Sequence, residues 1–158
     1  MTDRREFLIR SASVVAALAV PGAAGRLRAA ERAPAREMVI RKNRGCMCCD
    51  RWAAHLEENG IATRIEAHPD LNGHKREAGV PEDLWSCHTG SIDGYLVEGH
   101  VPAEDVLRML ETRPEIRGIA VPGMPVGSPG MEVGDRVDAY EVIAFGGDDG
   151  PFVFASHG

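Results

Sequence analysis

Three of the four cysteines in the chain fall within four positions, in Gly45-Cys46-Met47-Cys48-Cys49, and thiols that close can do two kinds of chemistry. Cys46 and Cys49 form a Cys-x-x-Cys pair, and at the entrance to a helix the dipole and free N–H groups lower a thiol pKa, as a redox dithiol requires. Cys46, Cys48 and Cys49, with the Met47 thioether between them, also offer three thiolates within one turn. Such a donor set selects Cu(I), zinc or iron–sulfur chemistry over hard cations. A second concentration of ligand types, Trp85-Ser86-Cys87-His88-Thr89-Gly90, holds the fourth cysteine.

A dithiol enzyme needs one nucleophilic cysteine, a second to resolve the mixed disulfide, and usually a proline-containing loop facing them; Cys46, Cys49 and Met124-Pro125 could supply all three. Cys48 and the Cys87-His88 pair are surplus to that chemistry and hazardous to it, since spare thiols in an oxidising compartment invite wrong bridges. They suit a metal, because thiolate sulfur has lone pairs enough to bind more than one soft ion. Zinc sites of four cysteines, or of three cysteines and one histidine, are common, but a second Cys-x2-Cys is missing, and the methionines lean towards copper. His88 is a candidate ligand beside Cys87, against the alternative of a hydrogen-bonding turn residue. Met47, Met124 and Met131 are thioether candidates, against exposure or packing. His55, His68, His74, His100 and His157 have weaker claims: His55 reads as solvent-facing, and His100 as ordering the turn before a helix. A structural disulfide protein is the third possibility, although adjacent Cys48 and Cys49 can hardly both be bridged locally without strain. No Ser-His-Asp arrangement, phosphate loop or acidic metal cluster is legible.

The elements that must position these residues read as α/β. Met38 to Lys42 has the length and apolar content of a buried strand, and Cys49, Trp52, Ala53 and Leu56 recur at helical spacing in a helix opening at Asp50. Asn59-Gly60 ends that helix, and Ile61, Thr63 and Ile65 alternate as a second strand. The unit is β-α-β, with the cysteines at the strand's C-terminal end, where α/β sheets put their chemistry. A short polar helix runs to about Ala78 as a solvated surface piece, a strand pattern covers Gly94 to Glu98, and Pro102 to Arg113 carries the signals of another helix. The Gly- and Pro-rich run from Ile116 to Met131 reads as a long loop, functional or disordered rather than filler. Tyr140 to Phe145 and Phe152 to Ala155 close the chain as a β-hairpin.

The first residues stand apart. Asp3-Arg4-Arg5-Glu6-Phe7-Leu8-Ile9 is a twin-arginine pattern followed by an apolar stretch to Val20 and the small residues Gly22-Ala23-Ala24. The apolar run falls short of the roughly 20 residues that a membrane-spanning helix needs. Residues 1–24 therefore read as a cleaved export signal to the periplasm, residues 25–36 as a flexible lead-in, and 37–158 as one domain without a membrane span. Losing three arginines, Asp3 and Glu6 takes the formal charge from −6 to −7. So acidic a domain is a poor partner for nucleic acid.

These stretches resemble the small exported copper-resistance proteins of the CopG type, catalogued as domain of unknown function 411. The matching residues are Gly45-Cys46-Met47-Cys48-Cys49 with Trp52, Ser86-Cys87-His88-Thr89, Tyr95 through Pro102, and Gly123 through Glu132. The resemblance implies a thioredoxin-like fold, Cys46, Cys48, Cys49 and Cys87 as ligands, and a thiolate-bridged Cu(I) cluster serving periplasmic copper handling, with other copper-handling proteins as partners. Four cysteines are too few to give several ions separate ligand sets, so any stoichiometry above one requires bridging sulfurs. More than one Cu(I) per chain in a single cluster is expected. A metal-binding protein is favoured over an enzyme, the competing reading being a thiol-disulfide oxidoreductase that uses Cys46 and Cys49.

Overall fold

Met38 and Ile40 are fully buried and Glu37 is exposed, an alternation that makes Glu37–Lys42 a strand, β1. The computed structural model describes residues 36–158; the export signal at 1–24 and the lead-in up to residue 35 lie outside the described residues. The described chain is a mixed α/β domain with seven strands in one sheet and three α-helices. Among the described residues no helix is long and apolar enough to cross a membrane.

Helix α1 spans Met47–Glu58 and buries Cys49, Trp52, Ala53 and Leu56. It starts one turn earlier than the expected opening at Asp50. Gly45, at φ 77°, completes the turn after β1 in a conformation that costs glycine little, which leaves Cys46 as the N-cap and puts Cys48 and Cys49 inside the helix. Asn59 and Gly60 close α1, and β2 (Ala62–Ala67) then pairs in parallel with β1. As an edge strand β2 leaves Ile65 exposed.

Asp70 caps α2 (Leu71–Ala78) by accepting the Gly73 N–H, and Gly79 ends it in the left-handed region. This helix is less solvated than its polarity suggests, because Leu71 and Lys75 are both buried and Lys75 finds a buried carboxylate, Glu98. A single 3₁₀ turn over Glu82–Leu84 leads to β3 (His88–Ile92), which forms a hairpin with β4 (Tyr95–Glu98). Helix α3 covers Ala103–Thr112 behind Pro102. Strand β5 (Gly118–Ala120) lies within the Gly- and Pro-rich run and pairs in parallel with β4. The terminal hairpin is β6 (Tyr140–Phe145) and β7 (Phe152–His157). The strand order is β2-β1-β3-β4-β5-β6-β7.

Both faces of the sheet are covered. Met38, Ile40, Val97, Ile119, Val142 and Ala144 share a core with Trp52 and Leu56 of α1 and Val106, Met109 and Leu110 of α3. The alternate residues Leu96, Ala120 and Phe145 pack on the opposite side with Val80 and Leu84. The cysteines stand where β1 gives way to α1 and where the chain enters β3, two strands that are direct neighbours.

Candidate metal centre

The first cysteine segment is a helix N-terminus with no side-chain cap. Cys46 is extended at φ −72° and ψ 93°, and its side chain caps no backbone N–H, so the first-turn donors of α1 keep their partial positive charge beside the sulfurs. Lys42, buried at the end of β1, donates to the Cys46 carbonyl at 2.9 Å and pairs with Asp50. The lysine thereby fixes the N-cap backbone to the strand that precedes it.

The antiparallel pairing of β1 and β3, with Lys42 opposite His88, brings Cys87 against this turn. Cys46 and Cys49 are joined by a disulfide, while Cys48 and Cys87 are free. Cys48 Sγ lies 3.5 Å from Cys46 Sγ and 3.8 Å from Cys87 Sγ, and Cys49 Sγ lies 3.6 Å from Cys87 Sγ. All four sulfurs fall within 4.8 Å of one another. Bridged sulfurs are not thiolates, so a metal requiring all four calls for the reduced state.

Two imidazoles extend the set. His88 places Nδ1 3.3 Å from Cys87 Sγ, and His100 places Nε2 3.1 Å from the same sulfur. His100 reads from the sequence as a residue ordering a turn, yet it is fully buried, and its Nδ1 faces the Pro129 carbonyl at 2.8 Å. No local pattern signals this role, because its partners lie far along the chain at Cys87 and Pro129. His88 is likewise fully buried, 4.3 Å from the Trp52 ring, and its Nε2 has no hydrogen-bond partner. It opens β3 and is therefore not a turn residue.

The loop after β5 completes the wall. Gly130, at φ 84°, lies so close to α1 that a Cβ there would stand 2.7 Å from the Cys48 carbonyl oxygen and 2.8 Å from the Trp52 nitrogen. Arg51 Nε donates to the Gly130 carbonyl at 2.9 Å. Ser128 is fully buried, and its hydroxyl donates to the Pro125 carbonyl. The long loop thus serves as a support for His100 and the head of α1.

The thioether candidates stand apart from this packing. Met47 is 72% exposed, Met124 is 53% exposed and Met131 is half-buried. The weaker histidines are engaged elsewhere. His55, expected to face solvent, is half-buried because it accepts the Ala103 N–H at the start of α3; His68 and His74 lie 5.1 Å apart ring to ring; His157 bonds Asp105 at 2.7 Å. Glu104, Asp105 and His157 form a further close group, but Asp105 is already taken by Arg108 and His157.

Burial governs the charge of the centre. It pushes the Cys87 thiol up to about 12, with Cys48 beside it adding to the rise. It holds His88 well below its ordinary value, helped by His100, and lowers His100 as well. At neutral pH the set is a protonated thiol between neutral imidazoles, a soft, uncharged donor group that a thiophilic cation can enter by displacing a proton. The packed sulfurs, with His88 Nδ1 and His100 Nε2 at the Cys87 sulfur, fit such an ion better than they fit a closed apolar core.

Residues 84–131 match a family model described as a protein of unknown function, DUF411. Two solved structures are similar over most of the chain. One, described as copper resistance protein copG, form 2, is 46% identical over 78% of this chain and 98% of that one, with a TM-score of 0.74. Form 1 of the same protein is 47% identical over 77% of this chain and 96% of that one, with a TM-score of 0.72. No curated protein matches.

Proposed function

The chain belongs to the DUF411 family of CopG-type copper-resistance proteins, and on that premise we propose that it holds copper as Cu(I) through Cys46, Cys48, Cys49 and Cys87. The observation that carries the reading is the meeting of four sulfurs from two segments, with His88 and His100 on the Cys87 sulfur. Softness selects Cu(I), and sulfurs this close favour bridging several ions over holding one each, so the centre is read as one thiolate-bridged cluster. His88, Met47, Met124 and Met131 are the further candidate donors in this reading, although Met47 and Met124 are largely exposed.

The domain that presents the centre is read as thioredoxin-like, spanning 37–158, on the strength of the parallel β1–β2 pair around α1 and the β3–β4 hairpin followed by α3. Export to the periplasm by the twin-arginine route rests on Arg4-Arg5 and the apolar run behind them. Changing both arginines to lysine should strand the precursor in the cytoplasm; normal periplasmic levels of that variant would remove the assignment.

A thiol-disulfide oxidoreductase would need only Cys46 and Cys49, which are indeed bridged. Two further thiols in contact with that bridge have no part in its chemistry and would be trapped by it. Anaerobic titration of the reduced, exported protein with Cu(I) under a competing chelator, with free thiols counted alongside, separates the readings. More than one Cu(I) per chain, with lower stoichiometry in both Cys48→Ser and Cys87→Ser, is the expected result. Full disulfide-reductase activity in both variants, with unaltered copper uptake, would favour the enzyme. Saturation at one ion with a thiol left free would reduce the cluster to a mononuclear carrier, and zinc retention without copper uptake would remove copper altogether.

A further inference from the structure

Glu98, at the end of β4, is fully buried and accepts hydrogen bonds from three separate parts of the chain. Its Oε1 takes the Ser86 N–H at 2.7 Å and the Lys75 ammonium, and its Oε2 takes the Thr89 hydroxyl at 2.6 Å. Lys75, on α2, is 1% exposed and also donates to Thr89 Oγ1 at 3.1 Å. Burying two charges costs desolvation that their attraction only roughly offsets, and apolar residues of similar volume often stabilise such a position as well or better. Stability therefore does not account for the pair. What an apolar pair cannot do is accept the Ser86 N–H.

Ser86 immediately precedes Cys87, and its hydroxyl donates to the Gly123 carbonyl, so the residue is tied through both backbone and side chain. The Cys87 sulfur that follows is the one that meets Cys48, Cys49, His88 and His100. On the opposite side of the centre Lys42 holds the Cys46 carbonyl in a corresponding way. We propose that the buried Lys75–Glu98 pair is a positioning device for the metal centre: Glu98 fixes the backbone ahead of Cys87 and so sets that sulfur against those of α1. The inference rests on the Cu(I) reading, adds no ligand, and acts through Cys87.

The test is the double replacement Lys75→Met/Glu98→Leu, which removes both charges and leaves neither buried alone. On the reduced protein, Cu(I) affinity is measured under a competing chelator, and iodoacetamide alkylation of Cys87 relative to Cys48 is followed by mass spectrometry. The expected result is a Cu(I) affinity about ten- to a hundredfold weaker, the range typical of residues that orient metal ligands, with Cys87 alkylated faster relative to Cys48. A folded double variant with unaltered affinity and an unaltered alkylation ratio would make the pair merely structural and overturn the proposal.

Should the double variant fail to fold, Ser86→Pro compared with Ser86→Ala decides. Trp85 already holds φ −65° and ψ 141°, a conformation compatible with a following proline, and proline deletes the N–H that alanine keeps. Weaker Cu(I) binding by Ser86→Pro than by Ser86→Ala supports the clamp, and equal binding sinks it. A wild-type protein that takes up no Cu(I) removes the copper reading, and the alkylation ratio then decides the clamp by itself.

Discussion

His100 turns its Nε2 towards Cys87 Sγ at 3.1 Å while its Nδ1 faces the carbonyl oxygen of Pro129 at 2.8 Å. A carbonyl only accepts, so Nδ1 carries the proton and Nε2 presents its lone pair to the sulfur. A neighbouring backbone carbonyl is the usual device for holding a metal-binding imidazole in one tautomer. His100→Ala is therefore expected to weaken Cu(I) binding about ten- to a hundredfold. His55→Ala, at a half-buried residue engaged with α3, should leave the affinity unchanged; competition titration of both variants checks this.

The proton content of the centre predicts its pH dependence. With the Cys87 thiol pushed up to about 12, an ion that binds its sulfur at neutral pH must expel a proton. Apparent Cu(I) affinity should fall about tenfold for each pH unit lost and each proton displaced, and binding in weak buffer should release acid.

The buried imidazoles act on stability instead. His88 and His100 titrate below 6.5 when folded, so as the pH drops under 6.5 the unfolded chain binds protons first and gains on the folded one. Stability from this source is present above pH 6.5 and is lost on acidification through the folded-state values. Urea midpoints of the metal-free protein should decline below pH 6.5, and less steeply in His100→Gln.

Gly130→Ala tests the long loop. The added Cβ would meet backbone atoms of Cys48 and Trp52, which cannot swing aside, and φ 84° is strained for alanine. The loop must lift, loosening the Pro129 carbonyl from His100 and the Gly130 carbonyl from Arg51. A loss of about 1–3 kcal/mol in urea unfolding, accompanied by weaker Cu(I) binding, is expected.

Trp52→Phe separates packing from ligation. It deletes the buried indole donor to the Val101 carbonyl, a 2.8 Å bond, and thins the wall against His88. Chemical denaturation should report a loss of about 1–3 kcal/mol while the Cu(I) stoichiometry stays that of the wild type.

The sequence made both cysteine segments legible because thiols are rare and their spacing is short, and α1 and α3 because their apolar residues recur at helical intervals. Strand β3 was not legible, since Thr89, Gly90 and Ser91 look like a turn. Its small residues answer to the interior of the sheet: a Cβ at Gly90 would stand 2.6 Å from Met38 Sδ. Strand β5 is three residues inside a run rich in glycine and proline, too short for a period to show. His100 and Glu98 were hidden for a different reason, because their partners lie 13 and 12 residues away at Cys87 and Ser86, and no local pattern announces such contacts.

Cys48 and Cys87 touch across a sequence separation of 39 residues. A metal ion gripped by both would close the intervening chain into a loop, and fastening a loop of that length restricts the unfolded chain by about 4 kcal/mol. Copper would then be a removable cross-link as well as a cargo: the loaded protein must surrender its ions before those two segments can part, and how long it survives proteolysis would follow the copper supply around it.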